Sequence, residues 1–200
     1  TISYSVTGVQ TCALPILLIG KHQGFHHHTR HVSAYSWNHR FPAVNLMLWR
    51  VHGIMKILQV GARSPVLMQQ LFEVWEKSVR ETHTFLSDAE INEIAKFVPD
   101  ALRSTAILVV LFNEEGIPVG FMGITGNNLD SLFISPDYIG KGFGKQLLQL
   151  GIEAYSINEL AVNEQNPQAR GFYEHLGFRV FRRSDTDEQG NPYPILYMRL

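Results

Sequence analysis

The sequence predicts a mixed α/β (α+β) domain, a central mixed sheet of about seven strands with helices on both faces, and three observations predict it. Ala106–Phe112 is apolar throughout and has the length of a strand, so it reads as a strand buried on both faces. Leu67, Met68, Leu71, Phe72, Trp75 and Val79 recur at helical spacing and give a helix one apolar face. Asp130–Leu150 passes from an apolar strand, through a turn with the alternate glycines Gly140, Gly142 and Gly144, into a helix marked by Leu147, Leu148 and Ile152. Strands that alternate with helices in this way bury their apolar faces most simply as one covered sheet.

Each element has a local reason. Lys56–Val60 reads as a first strand, and Ser64-Pro65 supplies an N-cap and a first-turn proline for the first helix. Ser87-Asp-Ala-Glu90 is a capping box, which opens a second helix that turns Ile91, Ile94 and Phe97 inward and stops before Pro99. The buried strand turns at Asn113–Gly116 into a second strand, Ile117–Ile124. Gly126–Asn128 turns again into Leu129–Ile134, which delivers the glycine turn and a helix running to Tyr155. A short strand at Glu159–Asn163, a helix near 168–176, and strands near 178–184 and 193–199 complete the order.

Two hundred residues suit one domain with an appendage, and the formal charge of -1 argues against nucleic acid or an acidic membrane as a bulk partner. The charges are unevenly spread. Residues 1–54 contain no Asp or Glu and seven of the nine histidines, whereas 55–200 carries all eighteen acids against thirteen Lys and Arg. Val6–Ile16 resembles the in-frame translation of a sequencing-library adapter, so the expectation is a non-native, poorly packed extension over 1–54. On that reading the natural protein starts at Met55, with Met47 as the second choice. The apolar run Ala13–Ile19 is far short of the roughly 20 residues of a membrane span, and the histidines follow no closed metal-site spacing. If Cys12 belongs to the extension, no cysteine remains, which excludes a thiol nucleophile, a disulfide framework and a cysteine zinc site. With no targeting segment the expectation is a cytoplasmic enzyme, and no metal is expected. The remaining 146 residues would bury about 70% of the surface that their unfolded chain exposes.

The glycine turn is an anion cradle: glycines allow close backbone approach, and the first N–H groups of the helix point outward without intrahelical partners. Spacing narrows the ligand. Gly140 and Gly144 enclose three residues and Gln146 follows Lys145, so the magnesium-binding hydroxyl of a Walker loop is missing. Lys145 stands where a dinucleotide fingerprint needs its third glycine. Ile139-Gly-Lys-Gly-Phe-Gly144 resembles instead the R/Q-x-x-G-x-G/A signature of the GCN5-related N-acetyltransferases (the GNAT fold), with Ile139 replacing the usual Arg or Gln. Asn166-Pro-Gln-Ala-Arg-Gly-Phe-Tyr-Glu-His-Leu-Gly-Phe178 matches the second long signature of that superfamily, N-x-x-A-x-x-F-Y-x-x-x-G-F. Trp75, Ser78, the Thr82-His83-x-Phe85-Leu86 run and Gly190-x-Pro192-Tyr193-Pro194 are similar to the small bacterial YjaB-type members.

The resemblance covers essentially 55–200 and implies acetyl transfer from acetyl-CoA to an amine acceptor, with no covalent enzyme intermediate. It implies that backbone groups of Leu132, Phe133 and Ile134 meet the pantetheine arm. It implies that Gly140, Lys141, Gly142, Phe143, Gly144 and Lys145 hold the pyrophosphate, that Asn166 binds the cofactor, and that Tyr173 faces the departing sulfur. A catalytically silent acyl-CoA-binding module of the same fold is the alternative, and the expected state is monomer or homodimer.

Magnitudes rank the chemistry. Protonating a thiolate of pKa about 8.5 from a tyrosine near 10 is uphill by about 2 kcal/mol, so Tyr173 suits hydrogen-bond donation to developing charge. Deprotonating a lysine-like amine at pH 7 costs about 4.6 kcal/mol, which makes the base the larger requirement. The sequence offers Asp130, directly or through water, and His83, and does not choose between them.

Overall fold

A computed structural model describes residues 11–12, 49–51 and 55–200. Along the chain these form β1 (Thr11–Cys12), β2 (Trp49–Val51), β3 (Met55–Gln59), α1 (Pro65–Thr82), α2 (Asp88–Ala95), α3 (Val98–Ser104), β4 (Ile107–Phe112), β5 (Pro118–Thr125) and β6 (Asn128–Ile134). A single 3-10 turn (Pro136–Tyr138) leads into α4 (Phe143–Tyr155), β7 (Glu159–Asn163), α5 (Pro167–His175), β8 (Arg179–Ser184) and β9 (Ile195–Arg199). The strands make one mixed sheet in the order β2-β3-β4-β5-β6-β7-β9-β8, with β1 on β6. Seven of them, β3–β9, come from residues 55–200, as the sequence predicts.

Two apolar clusters explain why the helices divide between the faces. Alternate residues of a strand point to opposite sides. In β4, Leu108 and Val110 meet α1 to α3 through Met68, Leu71, Trp75, Ile91 and Leu102. Val109 and Leu111 face the other way, into the cluster built by Leu147 and Leu148 of α4 and Phe172 and Tyr173 of α5. A strand with both faces covered has no place for polar alternation, which is why Ala106–Phe112 reads as it does.

The caps behave as their residue types dictate. Ser64 Oγ accepts from Leu67 N at 3.2 Å with Pro65 in the first turn of α1, and Ser87 and Glu90 form the reciprocal capping box of α2. One expectation needs correction. The second helix ends at Ala95, before Pro99 as expected, but Pro99 then lies in the first turn of a third helix, where a proline gives up only an N–H that would have no intrahelical partner. Phe97 becomes the N-cap of α3 and is 42% exposed, so it does not join Ile91 inside. Arg63 then closes the far end of α3, its guanidinium donating to the carbonyls of Leu102, Arg103 and Thr105.

The expectation for residues 1–54 lies almost entirely outside the described residues. Two short stretches of it are within them: β2 pairs antiparallel with β3, and β1 pairs antiparallel with β6, Thr11 opposite Leu132 and Cys12 opposite Ser131.

Candidate active site

Strand β6 organises the site. On one side it pairs with β5 along its length, from Asn128↔Thr125 to Ile134↔Gly120. On the other it pairs in parallel with β7 only at Asn128↔Glu159 and Leu129↔Leu160. Beyond Leu129 the β6–β7 ladder stops, leaving Leu132–Ile134 with an edge that β7 does not use. Thr11–Cys12 lies on that edge at Leu132 and Ser131, so an extended arm laid there would replace this pairing. Ser78 Oγ donates to the Ile134 carbonyl at 2.8 Å and ties the end of β6 to α1.

The chain then enters the glycine turn. Gly140 and Gly142 have φ of 77° and 82°, a left-handed conformation that β-carbon sterics disfavour in other residues. Gly142 O accepts the first helical bond, from Gln146 N at 3.2 Å, and no side chain caps α4. The N–H groups of Phe143, Gly144 and Lys145 therefore precede that bond and face outward. A Cβ on Gly142 would meet nothing within 4 Å, so the space before these donors is open. The Lys141 ammonium lies 4.8 Å from the centre of the Tyr138 ring. Ile139 and Phe143 pack partly buried against the α4 core, which gives an apolar residue at 139 a packing role where a polar one is usual.

Asn166 and Tyr173 lie two turns apart on α5. Asn166 Oδ1 accepts from Ala169 N at 3.0 Å and caps the helix, while its Nδ2, also buried, has no hydrogen-bond partner among the described residues. A cofactor carbonyl suits that orphaned donor. Tyr173 is fully buried between Phe172 and Phe178, with ring centroids 5.2 Å and 6.0 Å away. The open cradle, the edge of β6 that β7 does not use and the orphaned Nδ2 together fit a long ligand with an anionic end and an amide-bearing arm, one that would displace Thr11–Cys12 from that edge.

The two candidate bases have different surroundings. Asp130 is the extra residue of a bulge in β6, since Ser131 pairs with Gly123 and Leu129 with Ile124. Its carboxylate accepts from Thr125 Oγ1 at 2.6 Å and Asn128 Nδ2 at 2.8 Å. His83 ends α1 and is 1% exposed. Thr82 Oγ1 donates to Ser78 O, so the 3.0 Å contact between Thr82 Oγ1 and His83 Nδ1 has Nδ1–H as donor. Nε2 is then the acceptor, buried and without a partner among the described residues. Burial holds the imidazole at about 4, against an ordinary 6.5, with a smaller opposing effect from its backbone bond to Val79.

One group of residues was visible in the sequence only as separate signals. Phe85 lies between the rings of His83, at 5.4 Å, and Tyr193, at 6.0 Å. The Tyr193 hydroxyl donates to Glu90, the carboxylate that also completes the α2 capping box. These bonds hold Glu90 down at about 2 and push Tyr193 up to about 12. Nothing in the sequence links positions 90 and 193, because the bond joins segments 103 residues apart. Tyr197, by contrast, is covered by the Arg182 guanidinium at 3.3 Å from its ring centre.

Residues 74–197 match the family profile described as an acetyltransferase (GNAT) domain. The chain belongs to the GNAT acetyltransferase family. The peptidyl-lysine N-acetyltransferase YjaB of Salmonella typhimurium is 42% identical over 128 residues, 64% of this chain and 88% of the relative. The solution structure of apo-form YjaB from Escherichia coli superposes with a TM-score of 0.66 at 37% identity, covering 73% of this chain and 97% of that one. The structure of yncA from Salmonella typhimurium with its cofactor acetyl-CoA shares the fold, with a TM-score of 0.51 at 17% identity over 73% of this chain and 92% of that one. This GNAT chain is an N-acetyltransferase that uses acetyl-CoA as acyl donor. Among its described residues no group of three or more His, Cys, Asp or Glu could hold a metal ion, and no helix is long and apolar enough to cross a membrane.

Proposed function

We propose that the acceptor is a lysine side chain of a peptide or protein, acetylated directly with no acyl group held on the enzyme. The acceptor class rests on the 42% identical relative, whose name specifies peptidyl-lysine. Acetyl-CoA, when bound, supplies the acetyl group as a thioester, and the amine nitrogen takes the carbonyl carbon as the carbon–sulfur bond breaks.

The chain's own residues bind, orient and move protons. Backbone N–H groups from Gly142 to Lys145 hold the pyrophosphate at the α4 N-terminus, where the helix dipole adds ~0.3–1 kcal/mol. Leu132–Ile134 offer their edge to the pantetheine arm, and Asn166 Nδ2 donates to one of its carbonyls. Tyr173 donates its hydroxyl proton toward the departing sulfur. The parting of β6 from β7 beside the cradle is the observation that best supports this arrangement.

Between the two candidate bases, access to water rather than pKa favours Asp130. It is half-buried while His83 is 1% exposed, and an ordinary carboxylate of pKa about 3.9 is no stronger a base than an imidazole held at about 4. Moving a proton from an amine of pKa about 10.4 to an imidazole held at about 4 is uphill by roughly 9 kcal/mol. His83 Nε2 suits a hydrogen-bond acceptor that orients the neutral amine, while Asp130, reached through water, takes the proton.

The test is Tyr173→Phe in steady-state acetylation of a lysine peptide. A donor role predicts a fall in kcat on the order of a hundredfold with acetyl-CoA binding retained. Full rate in the variant would remove Tyr173 from the chemistry.

A further inference from the structure

We propose that Glu90 and Tyr193 form a clasp that positions the acceptor, closing the connection between α1 and α2 onto the connection between β8 and β9. The inference rests on the acceptor reading above.

Four observations carry it. The Tyr193 hydroxyl donates to one oxygen of Glu90, and the other oxygen accepts from Ser87 N at 2.8 Å and Ser87 Oγ. One carboxylate thus fixes both the start of α2 and a residue 103 positions away. Phe85 bridges the rings of His83 and Tyr193, so the clasp reaches the buried imidazole through one aromatic side chain. The β8–β9 connection is shaped for a fixed end: Asp187 accepts from Gln189 N, Asn191 N and Asn191 Nδ2 at 2.9, 2.8 and 2.9 Å, folding the loop on itself before Tyr193.

These contacts make a wall with an aromatic middle and a carboxylate rim. The stem of a lysine side chain fits it, its methylenes against Phe85 and Tyr193. Neither residue needs to touch the thioester. Their part is to hold the two connections at the separation that admits one such chain, with its amine directed to His83 Nε2.

The experiment uses the full chain with Tyr193→Phe, Glu90→Gln and the double variant. Acetylation of a lysine peptide is measured against peptide concentration, with acetyl-CoA binding followed separately by calorimetry. The clasp predicts that each single variant raises KM for the peptide roughly tenfold, the order of one hydrogen bond to a charged group. It also predicts that the double variant is little worse than either single one, and that acetyl-CoA affinity is unchanged. Peptide KM unchanged in both variants, or full additivity in the double variant, overturns the clasp alone. Acetyl-CoA binding without turnover in the unaltered chain overturns the acceptor reading, and this role with it.

Discussion

His83 shows at a single position how burial sets chemistry. As a residue type it offers a base with an ordinary imidazole pKa of about 6.5. The fold instead buries the ring, directs Nδ1–H to Thr82 and leaves the neutral form favoured down to about pH 4. No local sequence pattern carries that information, since burial depends on what the fold packs around the end of α1. The consequence for stability has a definite sign. The folded-state value lies below that of the unfolded chain, so the unfolded chain takes up the proton first as pH falls. The stability that His83 contributes is complete above about pH 6.5 and is lost as pH drops through about 4, up to about 3 kcal/mol. Thermal midpoints across that window are expected to fall more steeply for the unaltered chain than for His83→Gln. Equal slopes would mean that the imidazole is not held neutral. Asn166 carried a readable signal of another kind, because an Asn before Pro-x-Ala marks a cap, and its side chain has one end to cap with and another to spare.

The glycine turn is the element whose role is most legible from sequence alone. Alternate glycines before an apolar helix require left-handed backbone at two of them, and Gly140 and Gly142 have it. Pro99 misleads for a comparable reason: a proline marks the first turn of a helix as readily as the residue beyond the last one, and composition nearby does not distinguish them. The cradle gives a prediction at this scale. In Gly142→Ala the new methyl has room, so the cost is conformational, about 1–2 kcal/mol for left-handed backbone. The thermal midpoint is expected to fall by roughly 3–6 °C. Acetyl-CoA affinity is expected to fall several-fold as well, because the methyl stands before the outward N–H groups. A stability loss with unchanged affinity in calorimetric titration would place the pyrophosphate elsewhere.

Across the whole molecule, the order of strands and helices other than α3, and the division of helices between two faces of the sheet, follow from periodicity and caps. The parting of β6 from β7 does not. The last pair, Leu129 with Leu160, directly precedes the bulge at Asp130, and no residue type there marks a bulge in the sequence. Pairings such as Glu90 with Tyr193 are likewise invisible locally, although each partner already had a local signal of its own. The two signatures and the 42% identical relative agree with a sheet opened beside an anion cradle, and together they make the chain a transferase rather than a passive binder of acyl-CoA. The measurement that tests this most directly is to incubate the full chain with acetyl-CoA and a peptide bearing one lysine, and to count thiol released against acetyl-lysine formed. Direct transfer predicts one thiol for each acetylated lysine and almost none without peptide. Thiol release without acetyl-lysine, or binding with neither product, would contradict it.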